Sequence, residues 1–237
     1  MEDTYFGSHP RRQFILKIGA LLWATALLAP PTLRAAAKAG AAAVEVTPPE
    51  DLMREHGVLR RIMLIYDELR GRLQQGAPFP LVALTGATDL IRRFIQDYHE
   101  KDEEEYLFAR FNQAGKMVDL VKILYQQHQA GRQVTARLQE VSTGANLQKP
   151  YQRMKAAALL QSFNRMYRPH AAREDTVLYP AFRSVIPPAA FKALGDIFED
   201  KEQKLFGQNG FEKIVSEVAR LERQLGLNDL AQFTPRV

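Results

Sequence analysis

Four histidines in a fixed register constrain this 237-residue chain more tightly than anything in its composition. Leaving aside His9, they are His56, His99, His128 and His170. His56 and His99 lie 43 residues apart, His128 and His170 lie 42 apart, and the second pair follows the first at offsets of 72 and 71. The repeat extends beyond the histidines. "HEKDEEEYLF" (99–108) returns as the start of "HAAREDTVLYPAF" (170–182), each with a glutamate four residues after the histidine and an apolar run behind it. Such a pattern is that of a helix hairpin used twice, with one histidine on each helix.

The rest of the sequence predicts those helices. "TPPE" (47–50) has a threonine N-cap, a proline at the first helical position and a glutamate that closes a capping box. Leu52, His56, Leu59, Met63, Tyr66, Leu69 and Leu73 then recur at three- and four-residue spacing, one stripe of an amphipathic helix. "QGAPFP" (75–80) breaks it. A second stretch runs over 81–112, with Leu90, Phe94, Tyr98 and Leu107 in register, and Gly115 ends it. A third spans 117–141 through Leu120, Leu124, His128 and Leu138, and "STGAN" (142–146) turns the chain. The fourth covers 149–185 with Pro169 inside it, where a lost backbone hydrogen bond usually kinks a helix. No alternating run forces a strand. The expected fold is therefore all-α: an up-down-up-down four-helix bundle over 47–186. Pro187 and Pro188 close it, and an extension (187–237) carries helices over 189–206 and 211–225.

His99 with Glu103, and His170 with Glu174, are i,i+4 pairs, so each pair points the same way from its helix. Both pairs lie on the apolar stripe. A carboxylate buried there costs several kcal/mol unless a charge or hydrogen bond compensates it. A lone histidine on such a stripe is usually a hydrogen-bonded core residue. Four in one register with two matched glutamates are instead a cage for two cations, since a carboxylate can bridge metals. Nitrogen and oxygen donors without sulfur suit iron, manganese or zinc. The remaining acids Glu100, Asp102, Glu104 and Glu105 spread around the helix and are expected on a solvated face. Tyr98, Tyr106, Tyr125, Tyr167 and Tyr179 flank the motifs; most are expected as packing, with one open to a hydrogen-bonding or redox role beside the metals.

His56, "HEKDEEEYLFARF", His128 and "HAAREDTVLYPAF" together resemble the hemerythrin-like (HHE cation-binding) domain, over about 47–185. The resemblance implies a four-helix bundle around two non-haem iron ions with carboxylate and oxo or hydroxo bridges. Carried across, His56, His99, His128 and His170 are terminal ligands and Glu103 and Glu174 are bridges. Two departures stand out. Oxygen-carrying members have a second histidine four residues after the first on the third helix, and Arg132 stands there. Their fourth helix uses a His-x4-Asp spacing, which His170 and Asp175 satisfy. In a regular helix Asp175 points about 140° away from His170, which favours Glu174.

The N-terminus carries its own signature. Arg11-Arg12 precede Phe14 and Lys17, an apolar run covers 18–29, Pro30-Pro31 end it, and Ala35 to Ala37 are small. This is the layout of an export signal (1–37) of twin-arginine (Tat) type, followed by a small-residue linker (38–46). The run is shorter than the ~20 residues that span a membrane. The expected location is the periplasm by way of the Tat machinery, with an uncleaved N-terminal anchor as the alternative. The net charge of +5 is scattered, which speaks against a nucleic-acid partner, and zero cysteines exclude thiolate and iron–sulfur chemistry. Two functions stay open: a di-iron protein that binds O2, NO or iron, and a di-iron oxidase or peroxidase acting on O2, peroxide or NO. A third reading is a helical interaction module with a structural metal.

Overall fold

A computed structural model describes residues 46–236, so the export signal and nearly all of the linker lie outside the described residues. No strand occurs among the described residues. Six helices carry the fold. The first, α1 (Pro48–Gln75), starts with Glu50 and Asp51 in its first turn, where they complement the helix dipole. It stops at Gly76, whose φ of 66° is left-handed and lets Ala77 donate back to the Arg72 carbonyl (2.9 Å). A second rod, α2, runs over 81–113 as Leu81–Leu90, Ile91–His99, Glu100–Asp102, Glu103–Phe108 and Ala109–Gln113. Then come α3 (Val118–Val141) and a fourth rod, α4, over 150–181, which holds Pro150–Arg173, Glu174–Leu178 and Tyr179–Ala181. The C-terminal pair is α5 (Pro188–Phe206) and α6 (Gly210–Leu225).

The rods are not uniform. Ile91–His99 and Glu103–Phe108 in α2, and Glu174–Leu178 in α4, are π-helical, with widened turns that recur at functional sites. All three lie beside the predicted ligands. The helix passes through Pro169 without ending, and the ladder widens one turn later.

Among the first four helices, α1 packs on α2 and α4, and α3 packs on α2 and α4. α6 lies across α1 and α2, and α5 lies against α6 and α1. The C-terminal pair thus covers the bundle, and Pro48–Val237 form one compact unit. Ile214, Val218, Leu221 and Leu225 of α6 belong to the larger of two apolar clusters, which also holds Val58 to Leu73, Ala83 to Tyr98 and Leu138 to Ala171. Leu52, Leu107 to Leu124, Leu178 to Ile186 and Phe191 to Phe198 of α5 supply members of the other. Between the two clusters, on every one of the four helices, lie the residues of the histidine register.

Gly131 on α3 is a built-in vacancy. A Cβ there would fall 2.0 Å from the Tyr167 hydroxyl, which donates to Glu100 Oε1 (2.6 Å). Gly131→Ala must push that buried ring away, at about 1–3 kcal/mol of crowding, against roughly 1 kcal/mol regained in helix propensity. The displaced donor also leaves Glu100 short of a bond, worth about 1–3 kcal/mol. A net loss of ~2 kcal/mol is expected in denaturant titration, whereas a neutral or stabilised variant would refute the close fit.

Candidate metal centre

The six predicted residues converge. His56 and His99 face each other with ring centroids 4.7 Å apart, and His128 and His170 do so at 5.0 Å. Glu103 and Glu174 lie between the pairs, both 0% exposed. Glu103 Oε2 is 3.5 Å from His99 Nε2 and 3.4 Å from His128 Nε2. Glu174 Oε2 is 3.4 Å from His56 Nε2 and 3.1 Å from His170 Nε2. Each carboxylate thus reaches one histidine of each pair. Two overlapping donor groups result: Glu103, His128, His170 and Glu174, and His56, His99 and Glu103.

What turns the nitrogens inward lies behind them. His56 Nδ1 donates to Asp175 (2.7 Å), His99 Nδ1 to Glu55 (2.7 Å), His128 Nδ1 to Glu104 (3.1 Å) and His170 Nδ1 to Gln127 (2.8 Å). An acceptor at Nδ1 places the proton there and leaves the Nε2 lone pair pointing at the centre, as in metal-bound imidazoles. The duplication governs these outer partners too. Glu55 and Gln127 each precede a histidine by one residue, and Glu104 and Asp175 each follow a central glutamate by one. Arg60 and Arg132, each four residues after a histidine, pair with Asp175 and with Glu104 (2.8 Å), respectively.

The centre has the wrong chemistry to be left to itself. Glu103 Oε2 and both oxygens of Glu174 are buried and accept no hydrogen bond. His128 Nε2 and His170 Nε2 lie 3.2 Å apart, so with both Nδ1 atoms protonated two lone pairs face each other. Cations resolve both problems, and the oxygen-and-nitrogen donor set fits iron, manganese or zinc. Protons are the competing solution. Burial by itself would depress His56, but its bond to Asp175 and the nearby Glu174 carboxylate outweigh burial and lift it to about 9. His99 and His128 are raised as well, against burial, by Glu103 with Glu55 and by Glu100 with Glu103. Burial opposes ionisation of Glu174, yet His170 and His56 hold it well below the usual carboxylate range. The field that attracts protons here also attracts metal.

Glu174 occupies the centre, as helical direction favours, and Asp175 bonds the outer nitrogen of His56. Several other residues do otherwise than the sequence predicts. Glu100 and Asp102, expected on a solvated face, are buried (1% and 0% exposed) because each meets a partner from another element. Glu100 takes Tyr167 and Arg132 (2.8 Å), and Asp102 takes Lys201 from α5. Arg132, in place of the extra histidine, is tied to Glu100 and Glu104. Among the tyrosines, Tyr125 is exposed at 47%, whereas Tyr179 is buried and donates to Glu103 Oε1 (2.7 Å), its oxygen 3.4 Å from His56 Nε2. Sequence reasoning misses Glu55, Glu104 and Gln127. Laying the two hairpins over one another at the histidine offset would have exposed them, since Glu55 and Gln127 are 72 residues apart and Glu104 and Asp175 are 71 apart.

A family model described as the hemerythrin HHE cation binding domain matches residues 47–182. An uncharacterized protein of Mycobacterium bovis is 47% identical over 192 residues, covering 81% of this chain and 75% of that protein. An uncharacterized protein of Mycobacterium tuberculosis matches to the same extent. No solved structure matches.

The raised His56 fixes the sign of a pH effect. In the metal-free chain its stabilising contribution is complete below the ordinary value of 6.5 and is lost as pH rises through about 9. Melting of chelator-treated protein is therefore expected to fall between pH 6.5 and 9, while metal uptake releases protons and tightens over the same window. A metal-free stability that is flat or rising there would contradict the assigned proton load.

Proposed function

The chain belongs to the hemerythrin HHE cation-binding family, and on that footing we propose that it is an exported non-haem di-iron protein that binds O2, NO or iron for sensing, storage or protection. The supporting observation is the set of buried oxygens without hydrogen bonds, Glu103 Oε2 and both of Glu174, ringed by four Nε2 atoms whose outer nitrogens are already engaged. In this reading His56 and His99 would hold one iron and His128 and His170 the other, with Glu103 and Glu174 offering a carboxylate to both pairs. The four rods run alternately up and down around the pair.

Two irons held there would supply electrons and open coordination positions for a small molecule. The chain's own residues do the rest. Glu55, Asp175, Glu104 and Gln127 fix the imidazole tautomers, and Tyr179 holds Glu103 in place through its hydroxyl. Apolar residues on either side, including Phe108 and Leu178, keep bulk water out. That seclusion favours a small uncharged ligand over a bulky one.

The alternative is a di-iron oxidase or peroxidase acting on O2, peroxide or NO in the cell envelope. One observation favours it. Where a fifth histidine would stand, Arg132 is committed to Glu100 and Glu104, so the six-residue set leaves coordination positions for a substrate. Export by the Tat route to the periplasm rests on Arg11-Arg12 and the apolar run behind them, with an N-terminal anchor as its alternative. Among the described residues no helix is long and apolar enough to cross a membrane.

His99→Ala and His170→Ala are each expected to cost at least one metal per chain, and Arg132→Ala none, by elemental analysis of protein purified without chelators. Two metals retained in both histidine variants would sink the assignment. Exposing the reduced protein to air separates carriage, with a reversible spectral change, from turnover, with irreversible oxidation and consumption of peroxide.

A further inference from the structure

The duplication that builds the centre is imperfect, and two of its imperfections favour the same side. Residues at matching places in the two hairpins perform matching tasks: His56 with His128, His99 with His170, Glu103 with Glu174, Asp175 with Glu104, Arg60 with Arg132. Two matched places that touch the histidines differ in chemistry in the same direction. Glu55 backs His99 with a carboxylate, whereas Gln127 backs His170 with an uncharged amide (2.7 and 2.8 Å). Nine residues after His170 stands Tyr179, and nine after His99 stands Phe108. Their rings do the same packing, Tyr179 stacked on His56 (5.5 Å, 22°) and Phe108 on His128 (5.4 Å, 20°). Only Tyr179 brings an oxygen. That oxygen is 3.4 Å from His56 Nε2, the separation that Glu174 keeps from His56 and Glu103 from His128.

Resting on the dinuclear reading above, we propose that the two metal positions are unequal, and that the His56–His99 position fills first and holds its ion more tightly. The physical cause is the outer ring. A carboxylate that accepts the Nδ1 proton makes an imidazole a stronger donor than an amide does, and such partners change metal affinity by about 10- to 100-fold. Both histidines of the first pair have one, Asp175 and Glu55. In the second pair only His128 does, through Glu104. The further anion on that side, Glu100, is offset by the Arg132 guanidinium at 2.8 Å. Tyr179 adds to the imbalance by supplying an oxygen beside the first pair, opposite a phenyl ring beside the second. The His128–His170 ion is the exchangeable one.

The test is titration of the metal-free full chain with cobalt(II), followed by calorimetry and by the visible spectrum. Two binding steps separated by about 10- to 100-fold are expected. His170→Ala should keep the tighter step and lose the weaker, and His99→Ala should lose the tighter. Glu55→Gln should narrow the gap by weakening the tighter step, and Gln127→Glu should narrow it by strengthening the weaker. These two variants leave all six central donors in place, so they decide the matter even where a histidine variant fails to fold. Two equal steps in the native chain would overturn the inequality and leave the dinuclear reading standing. So would a gap unmoved by both Glu55→Gln and Gln127→Glu, or a tighter step that survives His99→Ala. Fewer than two cobalt ions per native chain would overturn the dinuclear reading and the inequality with it.

Discussion

Two buried carboxylates with three of their four oxygens lacking a hydrogen-bond donor, sealed between blocks of apolar side chains, are the constraint to which the rest of this structure answers. Glu103 and Glu174 cannot be rescued by water at zero exposure, and leaving ionised groups there uncompensated would cost more than a domain of this size can spare. The four imidazoles answer half of the demand, and cations or protons must answer the other half. Every surrounding choice follows from presenting nitrogen lone pairs to that point. Acceptors stand behind each ring, and π-turns set the register of three ligand-bearing segments. Arg60 and Arg132 in turn neutralise the outer carboxylates. The proposed metal pair therefore sits in a polar layer whose cost is spread over two shells.

The outline of this layer was legible in the sequence because a helix converts spacing into direction. His99 with Glu103 and His170 with Glu174 needed only the four-residue rule, and the twofold repeat supplied their partners. The ends of the helices were equally legible, since Gly76, Gly115 and Pro187 act locally. The burial of Glu100 and Asp102 was not. Periodicity places them off the apolar stripe, and what draws them inside are Tyr167, Arg132 and Lys201, contributed by segments 30 to 100 residues away. A charged side chain's fate depends on its partner, and no window of local sequence contains that partner. The choice between Glu174 and Asp175 lies between these cases. Helical direction favoured Glu174, and the structure gives Asp175 a different task, on the far nitrogen of His56.

The C-terminal pair illustrates the same lesson at larger scale. Its amphipathic pattern announced helices, but not what they cover. α6 lays Ile214, Val218, Leu221 and Leu225 on α1 and α2, and Glu222 grips Arg61 through two bonds of 2.8 and 2.5 Å. α5 contributes Phe191, Leu194 and Phe198 to the other cluster, and its Lys201 reaches the buried Asp102 one residue before Glu103. The extension is thus joined to the metal-bearing segment of α2 by charge as well as by packing.

The split of the core into two apolar clusters by a charged stratum gives the molecule a seam. Oily side chains hold each part together on its own, but across the stratum there is little grease, only ionic glue. On the dinuclear reading, filling it would tie the parts together, and emptying it would leave them joined by the helix backbones and the ion pairs. The two ions would then serve as rivets as much as reagents, so that starvation for metal would loosen the scaffold rather than merely silence one spot within it.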